Sequence, residues 1–205
     1  MPRSYTGRLM AGSLTREQLL GRGAALLVAG SALGTFVDTA AAALPTGDLA
    51  YARLLVGAEL LAADFYTTAI AATNAKPTVR TYLKRALANE KEHYTSVAQI
   101  VTGAGATPAV AGDIDFTYPA GTFATERSIV KFAAQLETTI LGAYLGAIDG
   151  IATDGLKAGL ARIAANEAQH LGYFSATAGG KAFTLSFPQE LTIDQASNAL
   201  DAFTA

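Results

Sequence analysis

Asn89-Glu90-Lys91-Glu92-His93 and Asn166-Glu167-Ala168-Gln169-His170 are two copies of one pattern, Asn-Glu-x-x-His, each inside a long run of helical periodicity. Residues three apart share a helix face, so Glu90 points with His93 and Glu167 with His170. The chain has two histidines, and these motifs use both. Upstream stands a further glutamate for each copy: Glu59 lies 31 residues before Glu90, and Glu137 lies 30 before Glu167. A tyrosine follows each of these seven positions on, Tyr66 and Tyr144. The two halves therefore repeat one plan: Glu, Tyr, then Asn-Glu-x-x-His. Glu92 neighbours the first motif but points elsewhere on its helix, and reads as a surface charge.

Outward from the motifs, four long helices are predicted. The first runs from about Asp48 to Ala72, with Leu54, Leu55, Leu61 and Phe65 at helical spacing. Asn74 to Pro77 breaks it, and Pro77 suits the first turn of the second helix, which ends near Gly103 as its cap. The third begins around Thr125-Glu126 and reaches Gly150. Asp154 can cap the fourth, which continues to about Ala178 before Gly179-Gly180. Short turns make each pair an antiparallel hairpin, whereas Ala104 to Ala124 is a long connection. A helix of ~26 residues is about 39 Å long, and ~20 extended residues reach about 66 Å. The connection can therefore run the length of the bundle. The predicted fold is all-α: a four-helix bundle of two hairpins joined by one long crossover. After Gly180, Phe183 to Phe187 reads as extended, and Thr192-Ile193-Asp194-Gln195 matches a capping box before a short terminal helix. This tail is expected to act as a lid or an assembly contact.

The surroundings of the glutamates are apolar. Glu59 shares its face with Leu55, Ala62, Ala63 and Tyr66, and Glu137 with Ala133, Ile140, Leu141 and Tyr144. An unpaired buried carboxylate costs several kcal/mol even after relaxation. Two divalent cations would cancel the four negative charges, and carboxylate oxygen with imidazole nitrogen suits iron or manganese. A lone Glu-x-x-His on an alanine-rich helix is usually a solvated pair. Two copies, each with an upstream glutamate, point instead to a metal pair held by Glu59, Glu90, His93, Glu137, Glu167 and His170. Tyr66 and Tyr144 are either hydrogen-bond donors or relays beside that site, or core filling with satisfied hydroxyls.

Composition narrows the alternatives. The 205 residues carry a net charge of -2, no cysteine and only 16% charged residues. There is no basic stripe for nucleic acid, and disulfides, zinc-thiolate sites and thiol catalysis are excluded. Residues 1–46 form an extension to the domain at 47–205. In it, Arg3, Arg8, Arg16 and Arg22 precede an apolar run from Gly23 to Val37 and the alanines 40–43. Basic, apolar, then small is the order of an export signal, and export or the cell envelope is the expected location. The other reading is an amphipathic helix that packs on the domain or a partner. The run is too short to span a bilayer comfortably.

Val56-Gly-Ala-Glu-Leu-Leu-Ala-Ala-Asp-Phe-Tyr66, Gln135-Leu-Glu-Thr-Thr-Ile-Leu-Gly-Ala-Tyr-Leu145 and the tail Phe187-Pro-Gln-Glu-Leu-Thr-Ile-Asp-Gln-Ala196 resemble the ferritin-like di-iron carboxylate superfamily. Within it they are similar to bacterial ferritin-like domain proteins, some labelled desiccation-related. The resemblance extends from about Leu49 to Phe203, and none of the six ligand positions is missing. It implies a di-iron centre acting on O2, peroxide or ferrous iron, with the same six residues catalytic. Glu90 and Glu167 would bridge the ions, Glu59 and Glu137 would be terminal, and each ion would take one histidine. The alternatives are a stress-protection protein whose metals only staple the bundle, and a storage-cage homo-oligomer. The absence of cysteine rules out a rubredoxin-like electron supply within the chain.

Overall fold

The computed structural model describes residues 44–72, 74–182 and 185–204. Five helices follow in order: α1 Thr46–Ala71, α2 Pro77–Gly103, α3 Glu126–Gly150, α4 Asp154–Thr177 and α5 Ile193–Asp201. The predicted extension lies almost wholly outside the described residues, as does the start of the predicted extended segment at Phe183.

Local chemistry sets the boundaries. Pro77 opens α2, where its missing N–H costs no bond. Thr125 and Ser128 cap α3 reciprocally, each side-chain oxygen accepting from the other's backbone N–H at 3.0 Å. α2 ends at Gly103 as the sequence predicts, but the capping role read for Gly103 falls two residues on, to Gly105, which takes the left-handed position at φ 74°. Ala106 N–H then donates to Val101 O at 3.1 Å and Gly105 N–H to Thr102 O at 2.9 Å, a Schellman ending. α4 ends the same way around Gly179, with Gly180 donating to Ser175 and Gly179 to Ala176. Asp154 also needs correction, because it is the first residue of α4, and Thr153 at the cap position makes no side-chain capping bond. The preceding turn is held by Asp48 of α1, whose carboxylate oxygens accept from Ala152 and Thr153 N–H, both at 2.9 Å. Thr192 and Gln195 form the predicted capping box of α5.

α1 pairs with α2 and α3 with α4, while α1 also packs on α3. The ends fix the directions. The start of α1 meets the end of α3 through Asp48, and its far end meets the start of α3, where Asn74 Nδ2 donates to Phe123 O at 2.7 Å. α1 and α3 are therefore antiparallel, and residues 104–125 must travel the bundle's length. On the way Tyr94 Oη donates to Ala109 O at 2.9 Å and Tyr118 Oη to Asp64 Oδ2 at 2.7 Å. Phe65, Tyr118, Phe123 and Phe132 form one aromatic cluster under the crossover.

The tail covers the α1–α3 side rather than an end of the bundle. α5 packs on both helices, Thr117 N–H donates to Phe203 O at 2.7 Å, and Leu191 N–H donates to Gly142 O at 2.9 Å. α1 is long and apolar enough to cross a membrane by composition. Its apolar residues Leu54, Leu55, Leu61, Phe65 and Tyr66 are core, however, with Glu59 among them.

Candidate metal centre

Each helix of the bundle sends one part of the motif inward: Glu59 from α1, Glu90 and His93 from α2, Glu137 from α3, Glu167 and His170 from α4. All four glutamates are fully buried, His170 is 2% exposed, and the His93 side chain is 11% exposed. The helix periodicity that aligns Glu90 with His93 and Glu167 with His170 thus brings all six predicted residues into one cluster.

The cluster has two overlapping halves. His93 Nδ1 lies 2.7 Å from Glu167, 3.2 Å from Glu90 and 3.8 Å from Glu59. His170 Nδ1 lies 2.9 Å from Glu90, 3.3 Å from Glu167 and 3.5 Å from Glu137. One group of donors is Glu59, Glu90, His93 and Glu167, and the other is Glu90, Glu137, Glu167 and His170; each could hold a metal ion. Glu90 and Glu167 belong to both.

The donors fit metal better than they fit one another. An imidazole Nδ1 offers one proton or one lone pair, so it can satisfy one of the three carboxylates around it. Glu59 Oε2, Glu90 Oε1, Glu137 Oε2, both oxygens of Glu167 and His170 Nδ1 accordingly have no hydrogen-bond partner although all are buried. Buried polar atoms are rarely left so, and a cluster of them converging on one point suits cations.

Glu59 and Glu137 are each tied to the opposite hairpin through one carboxylate oxygen. Tyr66 of the first hairpin donates to Glu137 of the second, and Tyr144 of the second donates to Glu59 of the first. Both hydroxyls are thus bonded to carboxylates of the cluster while both rings fill the core, a geometry compatible with both sequence readings of these tyrosines. The asparagine of the motif, given no role from sequence, has one here: Asn89 Nδ2 lies 3.1 Å from His170 Nε2 and orients that ring with Nδ1 toward the carboxylates. Its recurrence in both motif copies was the available signal.

Protonation follows from burial and crowding. Burial, reinforced by Glu90 and Glu167, holds the Glu59 carboxyl well above its ordinary range, and burial with Glu167 does the same to Glu137. Burial also pushes Glu167 upward, but His170 and His93 outweigh it and hold that carboxyl down at about 2. Burial pushes His93 downward, yet Glu167 and Glu90 raise it to about 9. His170 is raised further still, Glu137, Glu167 and Glu90 overcoming its burial. Protons thus occupy the centre of charge that cations would otherwise neutralise.

No curated protein sequence matches the chain significantly. The model of the ferritin-like domain family matches residues 47–180, which begins one residue into α1 and ends at the Gly179-Gly180 stop of α4. The matched segment contains all four long helices, the crossover and every donor of the buried cluster, so the chain belongs to the ferritin-like domain family.

Proposed function

We propose that the protein binds two divalent metal ions, iron in preference to manganese, and uses them in redox chemistry on O2, peroxide or ferrous iron. The observation that carries this reading is the pair of four-donor groups sharing Glu90 and Glu167. Those two carboxylates would help to hold both ions. Glu59 with His93 would complete one ion's donors, and Glu137 with His170 the other's. Four carboxylates balance two divalent charges, and the O/N donor set suits iron or manganese. When bound, such a pair supplies electrons to a dioxygen-derived oxidant.

The chain's own residues do the rest. Tyr66 and Tyr144 fix the terminal glutamates by donating to one oxygen of each, leaving the other oxygen for metal. Asn89 sets the ring of His170. The surrounding Leu55, Ala86, Ala133, Ile140 and Phe174 are core residues that keep bulk water from the donors.

The complete burial of the glutamates also favours a second reading, in which the metals chiefly staple the bundle. Anaerobic loading with ferrous iron, followed by metal analysis per chain, tests the site. Wild type should hold two ions, and Glu90→Ala combined with Glu167→Ala should lose them while circular dichroism still shows a helical fold. A folded wild type that takes up no metal would sink the proposal. Oxygen or peroxide consumption by the loaded wild type separates the redox reading from the staple.

A further inference from the structure

The repeated plan accounts for the six donors, the two tyrosines that hold them and the asparagines. It does not account for Tyr82 of α2 and Tyr173 of α4. Their rings stack face to face, with centroids 3.5 Å apart and planes within 7°. At the corresponding places in the other half of the repeat stand Gly159 and Ser96, so the pair exists on one side of the centre only. Tyr82 also sets its ring edge-on to the His170 ring, at 6.1 Å and 84°, and its hydroxyl donates to Gln169 O at 3.3 Å. Phe174 lies against Tyr82, Tyr173 and Tyr66 together. Tyr82 and Tyr173 are both half-buried, while His170 is 2% exposed. An unbroken series of ring contacts therefore joins the buried His170 side of the donor cluster to the surface.

Resting on the redox reading above, we propose that the Tyr82–Tyr173 stack is the electron port of the centre, where a small one-electron donor of the ascorbate or phenol class delivers electrons without entering the site. The glutamates are wholly buried, so a ring-sized donor cannot reach them directly. An electron passes inward from Tyr173 through Tyr82 and the His170 ring, and the Tyr173 hydroxyl proton goes to water. The phenoxyl radical left on Tyr173 takes one electron and one proton from ascorbate and becomes the phenol again. Two such passes, with two protons, supply the two electrons that reduce hydrogen peroxide to two waters.

The test uses the full chain loaded with ferrous iron, compared with Tyr82→Phe, Tyr173→Phe, the double variant and Tyr94→Phe as a control. Phenylalanine keeps the rings and their packing and removes only the oxidisable hydroxyl. All variants should hold as much metal as wild type. After peroxide without donor, freeze-quenched electron paramagnetic resonance should show a tyrosyl radical in wild type and Tyr94→Phe, lost in the double variant. With ascorbate present, the rate of peroxide-driven ascorbate oxidation should fall about tenfold or more in the double variant. A fully loaded double variant with wild-type radical and rate overturns the port and puts electron entry at the more exposed His93 edge. A loaded wild type that forms no radical overturns it too. A wild type that takes up no metal overturns the redox reading beneath it.

Discussion

His93 Nδ1 and His170 Nδ1 each face three carboxylates, and at neutral pH the metal-free centre resolves this crowding with protons. His93 is held at about 9 by Glu167 and Glu90, and Glu59 and Glu137 are held above the ordinary carboxylate range by burial and like charge. Metal must displace those protons, since it binds neutral imidazole and ionised carboxylate. Loading in weakly buffered solution should therefore release protons, and apparent affinity should rise as pH rises toward about 9. A pH-stat during metal addition reads this directly, and loading with no proton release would contradict the assigned donors. The tyrosines give a second prediction at this scale. Tyr66→Phe keeps the ring but leaves a Glu137 oxygen without its donor, so metal affinity should fall about 10- to 100-fold, measured by competition with a chelator of known affinity. The six donors were legible in the sequence because a helix repeats its face at fixed spacing, and Glu-x-x-His uses that spacing. The exchange of tyrosines between hairpins was not legible: which oxygen a hydroxyl reaches depends on how the hairpins dock, and no local pattern encodes that.

The helices themselves were readable to within a residue or two, because proline, glycine and threonine mark their ends chemically. The errors are instructive for the same reason. Gly103 and Gly105 are equally plausible caps by composition, and only the backbone shows that the left-handed residue is Gly105. The tail's seat on α3 had no signal at all. Gly142 and Gly146 sit one turn apart, and a Cβ built on Gly146 would lie 1.8 Å from the Leu191 carbonyl oxygen. That atom is backbone and cannot swing aside as a side chain would. Gly146→Ala should therefore lift Leu191 from the helix and unseat α5, which begins at Ile193. Cleavage of residues after Gly180 under limited proteolysis should become markedly faster than in wild type. Unchanged cleavage would mean that the tail's hold does not depend on this contact. Because the Gly146 side faces the tail and not the donors, metal content should be unaffected.

At the scale of the whole molecule, two sets of buried carboxyls pull the stability of the metal-free chain in opposite directions with pH. Burial raises Asp48, but bonds from Thr153 and Ala152 with the charge of Lys157 outweigh it, so its folded value lies below the ordinary one. Its contribution is present above about pH 4 and lost as pH falls through that lower value. Asp48→Ala should cost about 2 kcal/mol at neutral pH, the scale of hydrogen bonds to a charged group, because it unties α1 from the α3–α4 turn. Glu59 and Glu137 have the reverse sign. Their folded values lie above the unfolded ones, so the folded state binds more protons and the cost of their burial grows as pH rises past about 4.5. Bound metal removes that cost by supplying the positive charge. The stabilisation gained from metal should therefore be larger at about pH 8 than at about pH 5.5, the binding term itself adding about 2.7 kcal/mol at a hundredfold excess over Kd. For a chain of this size each kcal/mol moves the thermal midpoint by about 2–4 °C. Scanning calorimetry with and without Mn(II), which avoids oxidation during heating, measures both gains. A gain at pH 5.5 equal to that at pH 8 would mean that the metal does not relieve the buried glutamates, and that those carboxyls are neutralised by some other means.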